Sequence, residues 1–295
     1  MINYIMLITS AFCGSFGTLF KKIWQNKTTG VDYAVYVYMI ITTVFACISY
    51  YVMSGFDISV NAVTLRYSML YAIISCASVL MTFTAMNNMN IILYSVFSKC
   101  SIAIVWLYGI FVMSDRISWS GVISAMLVII SVILPAFEKK RGKIRCKEYL
   151  IGTIVAFIAS CSTIMIKIYG EEANRMGNAV LCFWTNVFFF IFMVLFTFIS
   201  LRIRKEDIKS YGKDFKRVRQ YFYLIAFDTL FGTISSLISL YVIQKIPISV
   251  YCILNAALTS VATFVVSKVI LSEKCTRYEV ISFCVSSISG VVAIL

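Results

Sequence analysis

The chain has 295 residues, of which 61% are hydrophobic and 13% charged, with a formal net charge of +13 and a mean hydropathy of +0.91. Its apolar residues come in runs of about 20, long enough to cross a hydrocarbon layer about 30 Å thick, so a soluble globular domain is excluded. The composition predicts an all-α integral membrane protein that crosses the bilayer many times.

Ten apolar spans are predicted along the chain. Two of the segments that connect them are long and basic, 138–148 and 202–220. The first divides the chain into an N-terminal five-helix half, 1–137, and a C-terminal five-helix half, 149–295. The second can form a basic amphipathic helix on the membrane surface. The predicted spans are 2–20, 33–53, 67–86, 91–113, 118–137, 149–169, 179–201, 221–243, 248–271 and 277–295.

The fourth span carries a lysine, Lys99, near the middle of the membrane. Nine residues separate it from Asn90, which is about 13 Å of helix. A lysine at this depth costs about 2.5–3.5 kcal/mol in insertion scales, so it is expected to face protein, water or a partner.

Asp228 in the eighth span is the predicted partner of Lys99. It lies eight residues, or about 12 Å, from Gln220, and both spans enter from the same side. The pair either fixes helix packing permanently or responds to a substrate or a proton. Asp228 is also the carboxylate best placed to carry a proton, so proton coupling is an expectation.

Further pathway candidates recur at helical spacing beside these charges. The alternative for Asn255 is a hydrogen bond that holds two helices together, and for Trp106 it is core packing. The candidates are Lys99, Asp228, Trp106, Asn255, Thr259, Tyr94, Tyr251 and Ser235, with Gly232 and Ser239 on the face of Asp228 and Ser95 on that of Lys99.

Several other residues in the spans are weaker candidates. Ser160 and Thr163 share one face of the sixth span with Lys167, which can pair with Glu171 four residues on. Trp184 and Asn186 lie in the seventh span. Trp24 and Trp119 fall at interface depth and are expected in the aromatic belts.

An internal repeat relates Asn90–Arg116 to Pro247–Lys274. In each, a tyrosine (Tyr94, Tyr251) precedes a long apolar span that ends in an acidic–basic pair. Because each half has five spans, an odd number, the second copy enters the membrane from the opposite side. This predicts an inverted repeat, a plan common among secondary transporters.

The basic residues are concentrated in the joints after spans one, three, five, seven and nine. The positive-inside rule places that side in the cytoplasm and both termini outside. The positive charge is then a topology signal and a contact with anionic lipid, so no nucleic-acid partner is expected.

The chain has no histidine, and its ten cysteines include no CxxC pair. No metal site, redox pair, nucleotide-binding loop or catalytic motif is recognisable, so neither a cofactor nor an enzymatic activity is expected. Any pumping must then draw on an ion or substrate gradient.

Three stretches resemble the EamA-type branch of the drug/metabolite transporter superfamily. They are Ser10–Lys21 (SAFCGSFGTLFK), Ser114-Asp115-Arg116 and Ser272-Glu273-Lys274. The resemblance covers essentially the whole chain and implies ten transmembrane helices as two inverted five-helix repeats in a bacterial plasma membrane. It departs at Cys13, where tryptophan is usual, and at Ile102 and Ser260, where prolines are usual. It also implies cytoplasmic termini, opposite to the charge count.

Together these features predict a secondary transporter, monomeric or homodimeric, that moves a small polar metabolite by alternating access. An amino-acid-like or organic-anion cargo is favoured because a fixed lysine attracts carboxylate or phosphate. The alternatives are a cation or multidrug exporter that uses Asp228, a flippase for a lipid-linked sugar or phosphate, and a membrane scaffold that transports nothing.

Overall fold

The structure is a computed structural model that describes residues 2–28, 34–88, 94, 100–114, 119–134, 146–203, 215–216, 218–270 and 277–292. Nearly all of these residues lie in α-helices, and within them no β-strand occurs. The first half contributes α1 (Ile2–Lys27), α2 (Ala34–Met53), α3 (Ala62–Asn88), α4 (Cys100–Phe111) and α5 (Trp119–Ile133). The second half contributes α6 (Cys146–Glu171), α7 (Asn178–Ile203), α8 (Phe222–Ile243), α9 (Ile248–Val269) and α10 (Arg277–Val292).

Seven of the described helices are long and apolar enough to cross a membrane: α1, α2, α3, α6, α7, α8 and α9. The described parts of α4, α5 and α10 are shorter apolar helices. A helix satisfies its own backbone hydrogen bonds, which is what a lipid environment requires. The chain is therefore an all-α, multi-pass membrane protein, as its composition predicts.

The first helix extends beyond its predicted end at residue 20 and continues to Lys27. This extension carries Trp24 into the core, where its ring packs 4.9 Å from that of Tyr38 and 6.2 Å from that of Phe83. Trp24 is 1% exposed, so the prediction that it lies in an interfacial belt is wrong. Trp119, by contrast, is 84% exposed at the start of α5, as a belt residue should be.

Most of the packed helix pairs join the two halves of the chain. Helix α1 packs on α8 and α9, α3 on α6 and α7, α2 on α7 and α8, and α6 also on α4. At the other end of the bundle, α4 packs on α5 and α9, and α10 on α5 and α9.

Small residues bring α1 and α8 close together in an antiparallel contact. The Ser10 hydroxyl lies 2.6 Å from that of Ser239 and 3.1 Å from that of Ser235. Farther along, a Cβ at Gly17 would lie 3.0 Å from the Asp228 carboxylate. Serine and glycine allow such an approach because they have almost no side chain to separate the helices. The seam fixes the position of Asp228.

Candidate functional site

A polar cavity of about 220 Å³ lies among α1, α2, α3, α7 and α8. It contains Asp228 and is called here the Asp228 cavity. Lys21 contributes a positive charge to the same wall. Its other polar or aromatic lining residues are Tyr38, Thr42, Thr43, Tyr50, Tyr71, Ser75, Thr185, Asn186, Phe189, Thr229, Thr233 and Ser236.

Asp228 and Lys21 lie at similar depth in the bundle. Asp228 is six residues, or about 9 Å, from the start of α8, and Lys21 is the same distance from the end of the antiparallel α1. Asp228 is only 6% exposed, and Lys21 is the charged neighbour that acts on it. The Lys21 ammonium also lies 5.9 Å from the ring centre of Tyr38. Each charge lowers the cost of burying the other.

Two hydroxyl groups in this cavity have no hydrogen-bond partner among the described residues. They belong to Thr42 and to Tyr38, which is 2% exposed. An unsatisfied buried hydroxyl costs about 1–3 kcal/mol. The cavity therefore offers binding capacity that water or a ligand can use.

A second cavity, of about 140 Å³, adjoins the first and is called here the hydroxyl cavity. Its polar lining consists of Tyr71, Thr163, Ser235, Ser236, Ser239 and Tyr251, and Tyr71 and Ser236 also line the Asp228 cavity. Its apolar lining consists of Ile166 from α6 and of Leu240 and Ile243 near the end of α8. The two cavities thus follow one another along α8.

Beyond the hydroxyl cavity, a set of polar side chains joins two turns of the chain. Gln244 directly follows α8, and its amide donates to the Asn178 side-chain oxygen at 2.9 Å. The Arg175 guanidinium donates to the Gln244 side-chain oxygen at 3.1 Å. These three residues, called here the Gln244 latch, tie the α6–α7 turn to the α8–α9 turn.

The same end of the bundle is closed further by contacts between α3 and α6. The Tyr67 hydroxyl donates to the Glu172 carboxylate at 2.7 Å, and the hydroxyls of Thr64 and Tyr169 lie 3.2 Å apart. The Asn61 side chain donates to the Asn174 carbonyl. The connections that meet at this end, 54–61, 172–177 and 244–247, contain two basic residues, Arg175 and Lys245.

The structure brings together several of the residues singled out in the sequence. Asp228 and Gly232 line the Asp228 cavity, as does the weaker candidate Asn186. Ser235, Ser239 and Tyr251 line the hydroxyl cavity together with Thr163. Lys99 and Ser95 lie outside the described residues, so the pairing of Lys99 with Asp228 stays a prediction.

Five other candidates lie apart from these two cavities. Trp106 packs against the buried cluster that includes Leu7 and Ile102. The Tyr94 hydroxyl lies 3.2 Å from that of Thr82, while Thr259 donates to the Asn255 carbonyl at 2.7 Å. The weaker candidate Trp184 donates from its indole to the Ile58 carbonyl at 3.0 Å.

Two lysines bind the ends of neighbouring helices. Lys167 lies 4.0 Å from Glu171, which confirms the predicted pairing, and its ammonium also donates to the Ile243 carbonyl at the end of α8 at 3.4 Å. Lys22 donates to the Met86 carbonyl near the end of α3 at 2.7 Å. Both contacts place a cation where helix carbonyls are unsatisfied.

No protein-family model and no curated protein sequence matches the chain. Among 28 matching chains of solved structures, one crystal structure of a protein has a TM-score of 0.63 with 13% sequence identity. That match covers 100% of this chain and 99% of the other. At this identity the similarity establishes a shared fold and no activity.

Proposed function

We propose that the chain is a secondary transporter of the EamA type that moves a small polar metabolite across the membrane by alternating access. The observation that carries this proposal is the Asp228 cavity, in which the buried carboxylate of Asp228 and the half-buried Lys21 share one wall inside a bundle of apolar helices. Charges are expensive at such depth, so their presence marks a binding site or a pathway.

The cavity favours a small cargo that carries both signs of charge. Asp228 suits a cationic group, Lys21 suits a carboxylate, and the free hydroxyls of Tyr38 and Thr42 add hydrogen bonds. Its volume of about 220 Å³ is below the roughly 300–1,000 Å³ typical of drug-sized sites. An amino-acid-like molecule fits these limits, with an organic anion as the next choice.

Matching contacts in the two halves support the inverted repeat that the proposal assumes. Residues 11–22 (AFCGSFGTLFKK) and 156–167 (AFIASCSTIMIK) are identical at five positions of the same spacing. Thr18 and Thr163 each donate to the carbonyl four residues earlier at 3.0 Å. Lys22 binds the end of α3 and Lys167 the end of α8. Helices α1 and α6, and likewise α3 and α8, thus have equivalent roles.

The pattern of packed helices supports the same relation. An inverted repeat relates each helix of the first half to the helix five places later, so α1 corresponds to α6 and α3 to α8. Under this exchange the pair α1–α8 becomes α6–α3, and the pair α1–α9 becomes α6–α4. The pair α3–α7 becomes α8–α2. The pairs α2–α7 and α5–α10 are unchanged, because their two members exchange with each other. All of these pairs are packed in the structure. A site between the halves is where transporters of this plan bind cargo.

A cation exporter is the second candidate, because aromatic rings surround the carboxylate. Tyr38, Tyr50 and Tyr71 line the cavity with Asp228, and ring faces attract organic cations. For this function Asp228 is essential and Lys21 is dispensable. In either case we propose Asp228 as the group that carries a coupled proton.

A thermal-shift screen of the purified protein tests the proposal. Amino acids, organic acids, sugar phosphates, nucleosides and quaternary amines are compared, since a cargo at 100 times its Kd stabilises the folded state by about 2.7 kcal/mol. We expect stabilisation by amino acids or organic acids that is lost in both Asp228→Asn and Lys21→Met. The matched control is Lys27→Met, which removes an exposed lysine of the same helix and should leave the shift unchanged.

Three results would redirect the interpretation. Stabilisation only by quaternary amines, retained in Lys21→Met, would favour the cation exporter. Stabilisation that survives Asp228→Asn would place the cargo elsewhere. If no compound of the screen changes the melting temperature, the transport proposal itself loses its support.

A further inference from the structure

The hydroxyl cavity differs chemically from the Asp228 cavity beside it. Among the described residues that line it, the polar groups are all hydroxyls and none is charged. It therefore does not duplicate the charged site. The two cavities share Tyr71 and Ser236 in their walls, so they lie next to each other.

Several hydroxyl hydrogens in this cavity are already used within the protein. Thr163 donates to the Ala159 carbonyl at 3.0 Å, and Ser235 donates to the Ser10 carbonyl at 2.8 Å. Ser239 shares a hydrogen bond of 2.6 Å with Ser10. A hydroxyl has one hydrogen and two lone pairs, so after these bonds the groups retain mainly acceptor capacity. At these three positions the cavity is therefore better suited to receive a hydrogen-bond donor than an acceptor.

We infer that the hydroxyl cavity is a second cargo subsite, which binds an uncharged hydrogen-bond donor, a hydroxyl or an amide, at the far end of the cargo. The inference rests on the proposed function and adds a substrate class to it. The charged groups of the cargo lie at Asp228 and Lys21, and its neutral polar end extends along α8 toward Tyr251.

An apolar end of the same size is a poor ligand for this subsite. It would displace water from the hydroxyl oxygens without replacing the lost hydrogen bonds. Leaving one such group unsatisfied lowers affinity by about tenfold to a hundredfold. Selectivity between two cargoes of equal shape is therefore the property that reports on the subsite.

The test compares asparagine with leucine, which have similar shape but differ in the terminal amide, by isothermal titration of the purified protein. If the screen identifies organic acids in place of amino acids, succinamate and 4-methylpentanoate form the corresponding pair. We expect the wild type to prefer asparagine or succinamate at least tenfold, and Thr163→Val, which keeps the shape but removes a hydroxyl oxygen, to reduce that preference several-fold.

Thr18→Val is the matched control, because Thr18 makes the same hydrogen bond in α1 but does not line the hydroxyl cavity. It should retain the wild-type preference. Equal affinity for both members of the pair overturns the subsite while the transport proposal stands. A preference that Thr163→Val leaves intact also overturns it. If the wild type binds no member of either pair and nothing else in the screen, the proposed function and the inference fall together.

Discussion

Gly170 at the end of α6 lies directly against the side chain of Gln244. A Cβ at position 170 would lie 2.6 Å from Gln244 Cγ, closer than two carbon atoms can pack. The missing side chain lets the end of α6 approach the turn after α8. This approach holds Gln244 where Asn178 and Arg175 reach its amide.

A valine at position 170 should therefore open the Gln244 latch. The added methyl groups displace the Gln244 side chain and break its hydrogen bonds, which loosens the closed end above the hydroxyl cavity. Cys182 lines the Asp228 cavity and is 4% exposed, so it is a natural reporter. We expect Gly170→Val to increase the rate at which a hydrophilic methanethiosulfonate reagent modifies Cys182 several-fold, measured by mass spectrometry.

A control variant and a second buried cysteine make that measurement specific. Gly177→Val places the same side chain in the same turn region, where nothing lies within 4 Å of the added Cβ, and should leave Cys182 protected. Cys76, buried in the cluster around Trp24, reports on general unfolding. If Cys182 and Cys76 become reactive together, or if both valine variants behave alike, the latch does not control access.

The seam between α1 and α8 predicts different effects for two Gly→Ala changes. Gly17→Ala places a methyl group 3.0 Å from the Asp228 carboxylate and 3.5 Å from its carbonyl oxygen, and overpacking of this kind costs about 1–3 kcal/mol. Gly232→Ala adds the same methyl group to α8 where nothing lies within 4 Å, so its cost should be below about 0.5 kcal/mol. Thermal unfolding in detergent measures both. Equal melting temperatures would mean that the helices are not so closely packed.

The adjacent lysines of α1 should have separable roles. Lys22 donates to the Met86 carbonyl, and loss of a hydrogen bond from a charged donor costs about 1.5–3 kcal/mol. We expect Lys22→Met to lower the melting temperature of the cargo-free protein, whereas Lys21→Met should abolish stabilisation by cargo with a smaller change in the cargo-free value. The reverse result would assign the site to Lys22.

A double-mutant cycle measures the interaction between Lys21 and Asp228. Removal of Lys21 leaves the buried Asp228 without its positive neighbour, and removal of Asp228 leaves the half-buried Lys21 without its negative one. The losses of unfolding free energy in Lys21→Met and Asp228→Asn should therefore sum to more than the loss in the double variant. The coupling should be about 0.5–3 kcal/mol in unfolding free energy. Effects that add would show that the two charges act independently. A parallel cycle with Lys99→Met tests the pair predicted from the sequence.

The fold was largely predictable because membrane insertion imposes simple rules on length and polarity. The long helices α2, α3, α6, α7, α8 and α9 can be located from apolar runs alone, since each must match the thickness of the bilayer. The end of α1 was missed because Lys21 and Lys22 resemble the charged flank of a helix. In the structure α1 continues past them, and this places Lys22 on a buried carbonyl and Lys21 in a cavity.

The candidate site was predictable only in part. Asp228 was found because a carboxylate inside an apolar span is costly and therefore conspicuous. Tyr50 and Tyr71 were missed because tyrosine is common in membrane helices, and its spacing does not distinguish a cavity wall from a lipid-facing surface. Lys21 and Asp228 are more than 200 positions apart in the chain. No local sequence pattern therefore indicates that they are neighbours.

The pairing of α1 with α8 and of α3 with α6 has a consequence for biogenesis. During synthesis the first five helices enter the membrane before their partners exist, so Ser10, Gly14 and Gly17 initially face lipid or the insertion machinery. Their seam is completed only when α8 has been inserted. The two halves of the chain are therefore not independent folding units, and the buried site is complete only after α8 has been inserted.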